Sequence, residues 1–133
     1  MLLQVLLFAC VGIAMEVFFT AITEYPRRRC NRLMGHSYVW MALTYGSAPL
    51  LLAVIYPPLE SAPLVGRLTV YVAVLYAIEY TAGWLLRCAL GRCPWDYGRA
   101  RWSVHGLIRL DYLPAWAAAC LIFESLWLEL RVL

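Results

Sequence analysis

The chain reads as an all-α membrane protein, with four transmembrane helices packed into one bundle. Three observations predict this. Of its 133 residues, 64% are hydrophobic and 14% charged, with a mean hydropathy of +0.71, whereas soluble domains are about half apolar and a quarter charged. The apolar residues fall into four stretches, each long enough to cross a hydrocarbon core about 30 Å thick at about 1.5 Å per residue. Arginines gather in the connections between those stretches. One domain over residues 1–133 follows, with spans at about 2–23, 38–56, 64–90 and 113–133.

The first span, Leu2 to Thr23, lacks a basic N-terminal region, carries Glu16 and ends in arginine, so it reads as a retained helix rather than a signal peptide. Pro26 and the run Arg27-Arg28-Arg29 are expected to stop it at the interface. The second span, Tyr38 to Tyr56, contains Gly46 and Pro49, and proline kinks a membrane helix. Pro57 to Pro63 reads as a tight turn, and Leu64 to Leu90 as the third span. Gly91 to Tyr112 is the longest connection, rich in Trp, Tyr and Arg, as interfacial segments are. The fourth span opens near Leu113 with Pro114 in its first turn.

Arg27, Arg28, Arg29 and Arg32 in the first connection and Arg92, Arg99, Arg101 and Arg109 in the third lie on one side; the other side has Arg67 and Arg131. The positive-inside rule places connections 24–37 and 91–112 in the cytoplasm and both termini outside. All eleven basic residues are arginine, which suits forked binding of phosphate or carboxylate but also follows from base composition. A net charge of +3 with no recognition motif gives no basis for nucleic-acid binding. The five cysteines form no C-x-x-C pair and read as unpaired thiols.

Ala14-Met15-Glu16-Val17 echoes Ala77-Ile78-Glu79-Tyr80, and each leads into an arginine-bearing connection with a later glycine, Gly35 or Gly106. Two hairpins in parallel orientation would produce such a repeat.

Glu16, Glu79 and Glu124 sit inside apolar runs. A carboxylate at mid-bilayer costs a few kcal/mol and so turns towards a protein interior. Helical periodicity puts Ala9, Gly12, Glu16, Thr20 and Thr23 on one face; Ser37, Thr44, Ser47 and Ala48 on a second; Tyr76, Glu79, Gly83 and Arg87 on a third; and Ala117, Cys120, Glu124 and Trp127 on a fourth. Small and polar residues at this spacing let helices approach closely. Counted from the arginine-rich side, Glu16 lies about 10 Å deep and Glu79 and Glu124 about 16 Å deep. Arg87 is expected to pair with Glu16 or Glu79.

Three functions fit such a constellation. The carboxyls glue helices together, or line a ligand or ion site, or hold a metal or act as acid and base in an intramembrane enzyme. His36 and His105 lie at the rim, at no i, i+4 spacing from an acid or from each other, so no metal set is read from the sequence. No nucleophile motif, phosphate loop or dinucleotide turn is present, so no cofactor is implied and the enzymatic reading is the weaker one.

With these residues in view the chain resembles a known family. The pattern comprises Glu16, Asn31-Arg32, Gly35, Tyr45-Gly46, Glu79-Tyr80-Thr81-Ala82-Gly83-Trp84-Leu85-Leu86, Trp95-Asp96-Tyr97, Gly106-Leu107-Ile108-Arg109-Leu110, Tyr112 and Trp116. It is similar to the transmembrane protein 229 family, whose bacterial members are called ABC-transporter type IV or CmpB-like membrane proteins. Leu33 and Ser103 stand where bacterial members have Gly and Asn, and Arg87 where they often carry an acid; animal members share the Arg. The resemblance implies a multi-pass protein and a transporter subunit.

The expectation is therefore a binding or transport-associated protein for a small amphipathic or lipid-like ligand, alone, as a homodimer or as a transporter subunit. Glu16, Glu79, Glu124, Thr20 and Tyr76 line the site and Arg87 balances its charge. Trp95, Asp96, Tyr97, Asn31 and Arg32 form a structural latch at the arginine-rich mouth, with the two aromatics at headgroup depth. The alternative is an intramembrane enzyme acting on a lipid or isoprenoid.

Overall fold

The computed structural model describes residues 1–28, 32–98 and 100–131, with backbone only for Arg27 and Arg28. Five helices carry the chain: α1 (Leu2–Arg28), α2 (Val39–Gly46), α3 (Ala48–Leu59), α4 (Leu64–Leu90) and α5 (Leu113–Leu130). Four segments, Leu2–Pro26, Val39–Leu59, Leu64–Leu90 and Leu110–Leu130, are long and apolar enough to cross a bilayer. The protein is an all-α membrane protein.

Helices α2 and α3 form one kinked span. Pro49 has no N–H to give the Tyr45 carbonyl, and α2 and α3 are divided at Ser47, whose N–H still bonds the Leu43 carbonyl and whose hydroxyl donates to the Thr44 carbonyl at 2.7 Å. The other prolines do less than expected. Helix α1 runs through Pro26 to Arg28, and α3 through Pro57 and Pro58 to Leu59. The fixed φ of these prolines, about −65°, is already helical, so each is accommodated at the loss of one ladder hydrogen bond.

Helix α1 packs on α2, α3 and α5; α5 also packs on α3 and α4. The backbones of the α2–α3 span and α4 approach each other less closely, and the seam is filled by side chains, Leu52 and Tyr56 against Tyr71 and Val72. Two buried clusters fill the interior. Phe8, Leu52, Tyr56, Tyr71, Val72, Cys120 and Trp127 occupy the end bearing the termini; Met41, Tyr45 and Trp95 occupy the other. Val39, Val54, Val65 and Phe18 point outward and are largely exposed, as residues facing acyl chains would be.

The 91–112 connection is not a surface loop. Strands β1 (Ser103–Val104) and β2 (Ile108–Arg109) pair antiparallel, Ser103 opposite Arg109 and Val104 opposite Ile108. His105 and Gly106 turn the hairpin at φ 53° and 73°. A Cβ on Gly106 would stand 2.6 Å from Asp96 Oδ1, so this site needs glycine twice over. Leu107 at the tip is 1% exposed, and Tyr76 Oη donates to the Arg109 carbonyl at 3.0 Å. The connection thus folds back along α4, and α5 starts level with Tyr76. Tyr76 stands fourteen residues before Leu90, about 20 Å along the helix axis.

Candidate functional site

Glu16 is placed by a close approach of α1 and α2. A Cβ on Gly12 would lie 2.2 Å from Tyr45 Cγ, and one on Gly46 would lie 3.3 Å from the Val5 carbonyl. With the backbones that close, Tyr45 Oη donates to Glu16 Oε2 at 3.2 Å and Ser37 Oγ donates to the same oxygen at 2.6 Å. Thr20, one turn on, accepts the His36 N–H at 2.8 Å, and its hydroxyl lies 2.9 Å from the His36 carbonyl. It fastens the incoming chain to α1. The predicted α1 face is therefore the one that meets α2.

Glu79 accepts a hydrogen bond from Tyr97 Oη at 2.8 Å through Oε1. The rest of its helix face seats the folded-back connection. Tyr76 holds the Arg109 carbonyl, and Gly83 leaves room for Leu107 and Trp95. Arg87 Nη2 donates to the His105 carbonyl at 3.0 Å. Arg87 thus pairs with neither Glu16 nor Glu79, because the hairpin occupies the space through which it would have to reach. Burial, then the Glu79 carboxylate beside it, holds the Tyr97 phenol well above its ordinary value.

Glu124 belongs to a different cluster. Tyr71 Oη donates to its Oε1 at 3.0 Å, and Arg67, from near the start of α4, reaches it with Nε at 2.8 Å from Oε1 and Nη2 at 3.4 Å from Oε2. The Nε contact is too bent for a hydrogen bond, although its length makes it a close ion pair. Equal counting from the helix ends placed Glu124 level with Glu79. The two separate because α5 starts far along α4, which carries Glu124 towards the termini.

Trp95 also departs from the expected headgroup depth. It is 5% exposed, donates Nε1–H to the Leu107 carbonyl at 3.1 Å and packs with Met41 and Tyr45 inside the bundle. Asp96 Oδ1 accepts the Gly98 N–H at 2.8 Å, closing a turn rather than capping a helix. Arg32 is exposed, and Asn31 lies outside the described residues. The latch that the structure displays is Trp95, Tyr97 and Leu107 on α4.

Between the α2–α3 span, α4 and α5 lies a cavity of about 90 Å³, several times the space one water needs. Its wall is apolar, with Leu52, Leu75 and Phe123 prominent, and includes Trp95, Glu79 and Trp116. Two residues of that wall each carry a polar atom buried without a hydrogen-bond partner among the described residues: Glu79 Oε2 and Trp116 Nε1. Native interiors seldom leave such atoms unmatched, and each costs about 1–3 kcal/mol. A second, more open groove between α1 and α5 includes Glu16 and shares Tyr45, Trp116 and Phe123 with the first.

Tyr45, Tyr71 and Arg67, which partner Glu16 and Glu124, are not among the expected site residues, nor is Trp116; Tyr97 is expected as part of the latch but not as a partner of Glu79. Tyr45, Tyr97 and Trp116 stand in the family pattern, whereas the signal for Tyr71 and Arg67 is only a hydroxyl or guanidinium able to satisfy a buried acceptor. Among the described residues no three His, Cys, Asp or Glu side chains converge as a metal would require. Cys10, Cys88, Cys93 and Cys120 are free thiols, and Cys30 lies outside the described residues.

No solved structure matches this chain. The family model described as "Putative ABC-transporter type IV" matches residues 3–131, nearly the whole chain, and the protein belongs to that family.

Proposed function

We propose that this protein is a transport-associated membrane domain that binds an amphipathic, lipid-like molecule in the cavity beside Glu79. Residues 1–133 act as one domain, with connections 24–37 and 91–112 on the cytoplasmic side and both termini outside. The observation that carries the reading is the pair of unmatched polar atoms, Glu79 Oε2 and Trp116 Nε1, in the wall of an otherwise apolar cavity. A hydroxyl or amine head placed between them would donate to the carboxyl oxygen and, as a hydroxyl, accept from the indole. A tail would leave through the α3–α4 seam into the bilayer. A small turn of the Glu79 carboxyl about its terminal torsion, which is soft, opens Oε2 to the ligand. Glu16, which accepts from Ser37 and Tyr45 through Oε2, orients Tyr45 in the wall between cavity and groove.

The test is retention of small molecules by protein taken from lipid nanodiscs into native mass spectrometry. Wild-type chain is expected to keep one apolar-tailed molecule. Trp116→Phe, which removes the indole N–H together with part of the ring, should lower occupancy at least about fivefold, the share of one lost hydrogen bond. Ala48→Phe, which fills the cavity, should abolish it. Equal retention by all three would overturn the reading.

A further inference from the structure

The connection that closes the cavity has a second, polar side. Trp95 lines the apolar cavity, while Cys93 and Asp96 on either side of it line an open cleft with Arg87, Arg92, Ser103 and His105. Two guanidinium groups face one carboxylate there, and that carboxylate already accepts the Gly98 N–H. Among the described residues, neither Arg87 nor Arg92 forms an ion pair. Arg87 is fixed at the cleft by its bond to the His105 carbonyl, which uses one nitrogen and leaves the rest of the fork for a ligand. The His105 ring is oriented by Tyr80 Oη, 2.8 Å from Nδ1, so its Nε2 is the ring atom left for a second partner. Close by in sequence, Trp102 is exposed with the Arg101 guanidinium 5.6 Å from its ring, a pairing suited to headgroup depth.

We propose that this cleft binds a phosphate group, with Arg87 and Arg92 as paired forks and His105 as a third donor. Forked, charge-assisted bonds to phosphate oxygens are what arginine makes well and lysine does not. The phosphate arrives either as the headgroup of an anionic lipid or as a free anion. The site is separate from the cavity beside Glu79 and does not depend on it.

Two probes distinguish the sources. Inorganic phosphate is titrated against the chain in nanodiscs of phosphatidylcholine, followed by phosphorus NMR line width. Phosphatidic acid is mixed as a minor component into otherwise identical nanodiscs, followed by its co-retention in native mass spectrometry. Binding of phosphatidic acid alone identifies a headgroup site; binding of both, or of inorganic phosphate alone, identifies a site for the anion itself. Arg92→Gln, which breaks no contact within the fold, should weaken binding about tenfold, and Arg87→Gln at least as much. Arg101→Gln removes the same charge outside the cleft and should change binding less than about twofold. Binding of neither probe, or an equal loss in Arg101→Gln and Arg92→Gln, would overturn the proposal. Unchanged circular dichroism and melting of Arg92→Gln keep a folding defect from passing for a binding defect.

Discussion

A carboxyl group inside an apolar wall is tolerable when both oxygens are engaged, and Glu79 has only one so placed. Tyr97 takes Oε1, while Oε2 and the nearby Trp116 Nε1 remain buried and unmatched. Glu124 has partners on both oxygens, and Glu16, whose two donors both reach Oε2, has no oxygen left buried without a partner among the described residues. That contrast singles out Glu79 as the residue around which a ligand is expected. The support around Glu16 depends on missing atoms elsewhere. Gly12→Ala would drive a Cβ into the Tyr45 ring, while Gly66→Ala would make ordinary contacts with Pro63 and Ala62, none nearer than 3.7 Å. Overpacking costs about 1–3 kcal/mol, so Gly12→Ala should lower the melting temperature in detergent by several degrees and Gly66→Ala hardly at all. Equal melting of the two variants would mean that α1 and α2 are not held at this distance. The α1 face was legible in sequence because Ala9, Gly12, Glu16 and Thr20 recur at helical spacing. The tyrosines were not, because where their hydroxyls reach depends on backbone paths that periodicity does not encode.

The unequal starting levels of α4 and α5 decide which residues meet. Long apolar runs made the spans readable, and Pro49 made the kink readable. The fold-back of 91–112 left no such trace, since two-residue strands have no period and Trp, Tyr and Arg fit an interface equally well. Counting depths from helix ends assumed a connection that stays at the surface, and this is why Glu124 was placed beside Glu79. Tyr97 is the bolt of the folded-back segment. Tyr97→Phe should cost about 1–3 kcal/mol, as for a buried acceptor left unsatisfied, and speed hydrogen exchange across 93–110. Its pH dependence has a definite sign. The folded phenol titrates above its ordinary value of 10.0, so above that pH the unfolded chain loses the proton first. Wild-type stability should then fall by about 1.4 kcal/mol per pH unit relative to Tyr97→Phe. Parallel stability curves above pH 10 would show that Tyr97 is not buried against Glu79.

At the scale of the molecule, the two ends of the bundle are built differently. The end bearing the termini is neutralised by Arg67 and Glu124 and closed by Arg131 over Tyr56 and Trp127. The other end is covered by the chain's own hairpin, and between them Leu52 and Tyr56 of α3 pack with Tyr71 and Val72 of α4, the seam along which we propose a ligand's tail leaves. The arginine distribution is the basis on which we propose that the hairpin end faces the cytoplasm. A single cysteine at Ala100 in an otherwise cysteine-free chain should therefore react with an impermeant maleimide in inverted vesicles and not in right-side-out ones; the opposite pattern would reverse the topology. The most direct measurement is the electron density beside Glu79 and Trp116 in crystals grown from a lipid mesophase. Elongated density running from Glu79 Oε2 and Trp116 Nε1 out between α3 and α4 is the expected result. A closed α3–α4 seam, with those two atoms bonded to each other or to other side chains, would contradict it.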